Sequence, residues 1–179
     1  SLDEKQFHAA LEKKPEFALM LMSTMVQRLR QSIAKLAAAR STVAPAEHGD
    51  ILDRKTLASL QKELAAQQPV EFAADKVIMS AGAVGAFMYV VLDGRVAIWV
   101  GGSVVEHVGS GGMFGEMALV DRSARAASAK AETDCRLLAI NRTDFLGLVR
   151  SKPAFGASLL KSIAVRMQQL AQQVAKLQS

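Results

Sequence analysis

Cysteine and histidine are scarce in this sequence. Cys135 is the only cysteine among 179 residues, which excludes an intrachain disulfide and a cysteine-ligated metal cluster. The three histidines, His8, His48 and His107, lie in unrelated segments. A metal-dependent barrel enzyme needs histidine and carboxylate ligands that cluster. The sequence therefore predicts a protein that has no metal, no cofactor and no catalytic residues, and that is not an enzyme.

Long apolar runs are also missing. The best apolar stretch, Phe17–Val26, is short and is interrupted by Ser23 and Thr24. A membrane-spanning helix needs about 20 predominantly apolar residues in succession. The N-terminal stretch has no basic segment followed by an apolar one, which is the pattern of a secretion signal. We therefore expect a cytoplasmic protein that makes no contact with a membrane.

Basic residues are in excess, but they are not concentrated. The chain has 22 Lys and Arg against 17 Asp and Glu, so its net charge is +5. These residues are scattered along the chain and do not form the basic patch or stripe of a nucleic-acid-binding surface. The sequence also has no P-loop, the glycine-rich motif that binds triphosphates. We expect no direct nucleic-acid contact from this chain.

The sequence does contain a change of hydrophobic period near Pro69. Before it, residues 3–39 have the spacing of helices, split by Pro15, and Asp53–Gln67 is a predicted helix that Asp53 caps. Half of all residues are hydrophobic, so a packed core is expected.

After Pro69, short strand patterns alternate with glycine-containing turns as far as Ile140. A short helix is predicted over Thr143–Ser151, and a long one runs from Pro153 to about Gln178. Many short strands joined by glycine turns indicate a small barrel or roll. The predicted fold class is therefore mainly β with flanking helices, or α+β.

The two helical ends of the chain form an internal repeat. A shift of 138 residues aligns them without a gap and matches Phe7 with Phe145, Pro15 with Pro153, Phe17 with Phe155, Leu21 with Leu159 and Arg28 with Arg166. Two unrelated amphipathic helix pairs would not share phenylalanine, proline and arginine in one register. Residues 1–40 are therefore interpreted as the closing helices of a preceding copy of the domain.

The last helix has a heptad pattern. Its apolar residues recur at alternating steps of three and four, which is typical of a coiled-coil seam. The seam residues are Leu160, Ile163, Met167, Leu170, Val174 and Leu177. A helix that packs on its own barrel would instead show a wider apolar stripe. The pattern favours a homodimer formed through the long helices, although the N-terminal helix is an alternative partner for this seam.

Residues 114–127 carry the candidate site. Glycine at position 115 permits a ligand to approach the backbone, and a short helix that begins there directs unpaired N–H groups outward. Arg125 offers a planar set of donors that suits two phosphate oxygens, and ionised Glu116 is an acceptor that suits a sugar hydroxyl. The residues indicate a ligand with one negative charge and a sugar. Glu116 and Arg125 forming an ion pair with each other is the alternative.

Two neighbouring motifs resemble the phosphate-binding cassette of the cyclic nucleotide-binding domain family. The first is Phe114-Gly-Glu-Met-Ala-Leu, and the second, after five further residues, is Arg125-Ala-Ala. The resemblance implies an eight-stranded antiparallel β-roll (jelly-roll) with a long C-terminal helix, here with an extra N-terminal helix pair. It implies a domain over residues 51–179, after a linker at 41–50. The implied ligand-binding residues are Phe114, Gly115, Glu116, Met117, Ala118, Arg125, Ala126 and Ala127.

The resemblance also implies residue roles and a function. Glu116 would accept from the ribose 2′-hydroxyl and Arg125 would bind the cyclic phosphate. Ala126 and Ala127, where cGMP-selective members often have Thr or Ser, favour cAMP over cGMP. Arg166 is interpreted as a solvated helix residue, with stacking on adenine as the alternative. The expected function is a regulatory module that couples nucleotide occupancy to the closing helices; the alternative is a structural or dimerisation module with a vestigial pocket.

Overall fold

The computed structural model describes residues 15–39, 43–49 and 51–177. The first part of the predicted N-terminal helix pair, which includes Phe7 and His8, lies outside the described residues. Among the described residues, no helix is long and apolar enough to cross a membrane.

Five helices and nine strands are formed by the described residues. The helices are α1 (Pro15–Ala39), α2 (Arg54–Glu63), α3 (Glu116–Asp121), α4 (Arg142–Ser151) and α5 (Pro153–Leu177). The strands are β1 (Ala46–His48), β2 (Val70–Phe72), β3 (Val77–Met79), β4 (Phe87–Asp93), β5 (Val96–Val100), β6 (Ser103–Val108), β7 (Met113–Phe114), β8 (Ser128–Ala131) and β9 (Cys135–Asn141).

The strands form two sheets that enclose the core, which confirms the predicted β-roll with flanking helices. The first sheet has the order β1-β6-β5-β8-β3 and the second has the order β2-β9-β4-β7. All pairs in both sheets are antiparallel except β1 with β6, which is parallel. The described ranges contain nine strands instead of the expected eight antiparallel ones, because β1 is an additional short strand.

Strand β1 lies inside the segment 41–50 that the sequence analysis assigned to a linker. It places Ala46 opposite Glu106 and His48 opposite Val108. His48 is buried and within hydrogen-bond distance of Ser162 on α5. The signal for this strand in the sequence is weak because the strand has only three residues, two of them polar. Strand β1 is stabilised by tertiary contacts with β6 and α5 and not by the strand preference of its own residues.

Local signals placed the starts of α2 and α5 correctly, whereas α2 ends at Glu63 and not at the predicted Gln67. The Asp53 side chain accepts a hydrogen bond from the Thr56 amide at 2.7 Å and caps α2, as expected. Asn141 caps α4 in the same way by accepting from the Asp144 amide. Helices α1 and α5 each contain 25 residues, and both of their ends differ by the 138-residue shift of the repeat.

Helix α1 packs along α5 within one chain. The α1 face that contacts the rest of the molecule is the buried series Ala18, Met22, Val26, Leu29, Ile33 and Leu36. Leu160, Ile163 and Leu170 of the predicted dimer seam are nearly inaccessible in the single chain. The apolar seam of α5 is therefore largely covered within the single chain.

Candidate functional site

The candidate site is built by the segment that links the two sheets, from β7 through α3 to β8. Gly115 precedes α3 with φ +83°, a left-handed conformation that favours glycine. A Cβ at Gly115 would lie 3.0 Å from Nη1 of Arg125, and one at Gly85 would lie 2.7 Å from its Cζ. The two glycines therefore make room for the arginine side chain.

Arg125 is a buried cation that the described structure leaves without a carboxylate partner. Its exposed fraction is 7%. Nη1 donates to the Gly115 carbonyl at 2.7 Å and Nη2 donates to the Phe87 carbonyl. Burial lowers the pKa of Arg125, although the nearby Tyr89 and Glu116 act in the opposite direction. Guanidinium has five N–H donors, so the two carbonyls leave donors for an anion.

Glu116, the first residue of α3, is even more deeply buried, with an exposed fraction of 1%. Its Oε1 accepts a hydrogen bond from Nη1 of Arg166 at 2.5 Å. Its Oε2 is buried and accepts no hydrogen bond from any described group. A buried acceptor without a donor costs free energy, so this oxygen is a natural position for a ligand hydroxyl.

Arg166 joins α5 to both the roll and the cassette. Besides Glu116, its guanidinium donates to both oxygens of Glu106 on β6, at 2.9 to 3.1 Å, and to the Met113 carbonyl at 2.7 Å. Burial opposes the charge of Arg166, but the charges of Glu106 and Glu116 outweigh it and raise its pKa above the usual range. The residue is 6% exposed.

The interpretation of Arg166 as a solvated residue is therefore wrong, and so is the suggestion that Glu116 and Arg125 pair with each other. Glu116 forms its ion pair with Arg166 at 2.5 Å. A sequence signal for the burial of Arg166 existed. It lies three residues after Ile163 and four before Leu170, on the same face as the apolar seam. The sequence did not reveal which carboxylates this face meets.

All eight residues of the predicted site line one cavity. They are Phe114, Gly115, Glu116, Met117, Ala118, Arg125, Ala126 and Ala127. The other lining residues come from distant elements and were not predicted as part of the site. They are Ile33, Met79, Ile98, Val100, Val105, Glu106, Arg166 and Leu170. The lining combines four charged side chains, Glu106, Glu116, Arg125 and Arg166, with mostly apolar ones. It therefore suits a ligand that has both a charged group and an apolar one.

His48 extends the charged cluster away from the cavity. Its Nε2 lies 2.8 Å from the Ser162 hydroxyl, and its Nδ1 lies 3.3 Å from Oε1 of Glu106. Burial, reinforced by the positive charge of Arg166, lowers its pKa from 6.5 to about 3. His48 is therefore neutral at physiological pH. Nδ1 of His107 on β6 is within hydrogen-bond distance of Oε1 of Glu132, in agreement with a structural role.

The fold and the cavity define a class of protein. Two sheets form a roll, a short helix and an arginine loop close one end of a cavity, and a long helix covers it. Residues 69–152 match the sequence profile of the family described as "Cyclic nucleotide-binding domain". This segment of the chain is therefore similar to the cyclic nucleotide-binding domain family.

Known proteins of this type are similar to the chain. The Cyclic AMP receptor protein of Thermus thermophilus is 36% identical over 99 residues, which cover 52% of this chain and 46% of that protein. The cAMP-dependent protein kinase regulatory subunit of Candida albicans is 40% identical over 82 residues, which cover 46% of this chain and 18% of that protein. The chain thus spans less than half the length of either relative.

A solved structure shows the same fold. The crystal structure of the Thermus thermophilus Catabolite Activator Protein has a TM-score of 0.60 and 29% sequence identity, and the match covers 72% of this chain and 62% of that one. The predicted resemblance to catabolite activator proteins and to kinase regulatory subunits is confirmed.

Proposed function

We propose that this chain is a cAMP-binding regulatory module, and that Arg125 binds the cyclic phosphate. The observation that carries the proposal is the burial of Arg125 together with its hydrogen-bond partners. It is buried in a cavity, it donates only to neutral carbonyls, and it has no carboxylate partner among the described residues. A buried charge without a counter-ion is costly. One phosphodiester supplies the single negative charge that this cation lacks.

Glu116 supplies the second contact. Its unpartnered Oε2 accepts a hydrogen bond from the ribose 2′-hydroxyl, while Oε1 remains with Arg166. The backbone of Gly115, Met117, Ala118 and Ala126 surrounds these groups, since all four residues line the same cavity. The ligand thus satisfies one buried cation and one buried acceptor at once.

We propose cAMP rather than cGMP as the physiological ligand. Ala126 and Ala127 offer no side-chain hydroxyl beside the phosphate arginine. The two similar proteins named above are a cyclic AMP receptor protein and a cAMP-dependent kinase subunit. In this proposal the chain is a cytoplasmic, non-enzymatic regulator that does not itself contact DNA.

Ligand occupancy is coupled to the closing helices through Arg166. This residue lies on α5 and donates to Glu116, so a hydroxyl that binds Glu116 changes the electrostatic environment of α5 directly. A ligand shifts such an equilibrium only by its different affinity for the two states. The coupling therefore depends on how the Arg166–Glu116 contact differs with and without nucleotide.

Calorimetric titration with cAMP, cGMP and linear AMP tests the proposal. We expect cAMP to bind most tightly, and Arg125→Gln to weaken it by about 30-fold or more, the effect of removing one partner of a buried charged contact. Arg136→Gln is the matched control, because Arg136 is an exposed arginine on β9. Absence of heat and of any thermal shift at millimolar nucleotide would support a vestigial pocket instead.

The homodimer stays a prediction. Leu160, Ile163 and Leu170 of the α5 seam are buried within the single chain, so a dimer would have to use another face of the long helices. Met20 on α1 is 58% exposed and is a candidate for such a face. Sedimentation velocity of the wild type and of Met20→Glu measures whether a dimer forms and whether this face supports it.

A further inference from the structure

Helix α1 forms part of the cavity wall. Ile33 of α1 lines the cavity, together with Leu170 of α5. Ile33 is 7% exposed, so its side chain is packed inside and does not border solvent. A segment outside the matched family region, 69–152, therefore contributes directly to the site.

An ion pair fastens α1 to the cassette. The Arg30 guanidinium forms two hydrogen bonds with the Asp121 carboxylate, one of them 2.8 Å from Nη2 to Oδ1, and it also donates to the Ala124 carbonyl at 2.8 Å. Asp121 ends α3, and Ala124 is the residue before Arg125. A bidentate arginine–carboxylate pair fixes orientation as well as distance. Arg30 thus holds both ends of the segment that presents Arg125.

The environment of Asp121 agrees with a formed ion pair. Its side chain and that of Arg30 are 15% and 23% exposed. Partial burial acts to raise the pKa of Asp121, but hydrogen bonds from Arg30 and from the Ser123 amide outweigh it, so the pKa is lowered. The carboxylate is therefore charged at physiological pH.

The contacts that α1 makes with the site differ from those that α5 makes. By the 138-residue repeat, Arg30 corresponds to Gln168 and Ile33 to Ala171, and both of those α5 residues are exposed. Conversely Arg28, the counterpart of buried Arg166, is exposed on α1. The two related helices therefore present different faces to the cavity, and α1 contributes contacts of its own.

Much of the cavity lining outside the cassette is apolar. Ile98, Val100, Val105 and Leu170 line the cavity together with Ile33. In the proposed function the phosphate and the ribose find their partners at Arg125 and Glu116, so the planar, largely apolar base is the part of the ligand left to contact these apolar side chains.

We propose that α1 completes the nucleotide site within one chain: Ile33 contacts the base, and Arg30 positions the phosphate-binding segment through Asp121. This inference rests on the proposed function, because it assigns residues to the same ligand. It implies that nucleotide binds one per chain without a residue from a second subunit.

Isothermal titration of cAMP and cGMP into Ile33 variants tests the base contact. Ile33→Ala should weaken cAMP binding about tenfold. Leu36 lies one turn further along α1, is also buried and does not line the cavity. Leu36→Ala should therefore lower the melting temperature and leave the cAMP affinity within about twofold of the wild type. Ile33→Asn should change the ratio of cAMP to cGMP affinity at least threefold, whereas loosened packing would weaken both nucleotides equally.

A double-mutant cycle tests the positioning role. Arg30→Gln and Asp121→Asn should each weaken cAMP binding about threefold to tenfold, and the double variant should be no weaker than either one. Arg28→Gln, an exposed arginine on the same helix, should change nothing.

The outcomes separate the two proposals. If the wild type binds cAMP while the Ile33 and Arg30 variants keep wild-type affinity and selectivity, α1 is not part of the site and this inference is overturned alone. If the wild type binds neither nucleotide, the proposed function fails and this inference fails with it. A stoichiometry of one nucleotide per two chains would also overturn it.

Discussion

Nη1 of Arg166 donates to Oε1 of Glu116 at 2.5 Å, and this contact joins the long C-terminal helix to the first residue of the cassette helix. The same guanidinium is bound to Glu106 in the roll. One cation thus pairs with two buried carboxylates from different elements. Its loss would leave both carboxylates, which are 5% and 1% exposed, without this partner.

Replacement of this arginine should destabilise the fold strongly. We expect Arg166→Met to lower the free energy of unfolding by about 3–5 kcal/mol, the range for breaking a buried ion pair by removing one partner. Urea denaturation monitored by circular dichroism measures it. Lys161→Met, at an exposed position on the same helix, should change stability by less than about 0.5 kcal/mol. A loss below about 1 kcal/mol for Arg166→Met would contradict the proposed importance of the cluster.

Gly85 should be required both for nucleotide binding and for stability. A Cβ there would lie 2.7 Å from both Cζ of Arg125 and Cβ of Ala118, closer than such atoms can approach. Gly85→Ala should therefore displace the Arg125 side chain and weaken cAMP binding, and it should also lower the melting temperature, because the Cβ of Ala118 moves only with the backbone of α3. Titration calorimetry and thermal unfolding measure the two effects separately.

Gly109→Ala is the matched control for this experiment, since a Cβ at Gly109 would meet no atom within 4 Å. Equal cAMP affinities for Gly85→Ala and the wild type would show that Arg125 does not need its present position, or does not bind the ligand.

His48 should make stability sensitive to mild acid. Its pKa is about 3 in the folded protein, against 6.5 for the free group. The unfolded chain therefore takes up a proton as the pH falls below 6.5, whereas folded His48 stays neutral, and stability declines between pH 6.5 and pH 3. At pH 5 the loss amounts to about 2 kcal/mol.

The variant His48→Gln isolates this contribution, because Glu106 and Arg166 lie beside position 48 in both proteins. Between pH 7.5 and pH 5, the wild type should lose about 2 kcal/mol more than the variant in denaturant unfolding. Parallel losses in the two proteins would mean that His48 takes up its proton in the folded state as readily as in the unfolded one.

Much of the fold could be predicted from the sequence where the controlling interactions are local. The Asp53 cap, the helix that starts at Pro153 and the glycine-punctuated strands depend on neighbours a few residues away. The short strand at Ala46–His48 was missed because its partners, on β6 and α5, are distant along the chain.

The sequence by itself determined the cassette motif, because Glu116 and Arg125 lie within ten positions of each other and offer an acceptor that suits a sugar hydroxyl and a cation that suits a phosphate. Only the tertiary structure decided what surrounds them. Arg166, Glu106 and Ile33 come from three separate elements, and whether a charged or apolar side chain is buried depends on packing between elements rather than on its own segment. That packing paired Glu116 with Arg166 and left Arg125 without a carboxylate partner among the described residues.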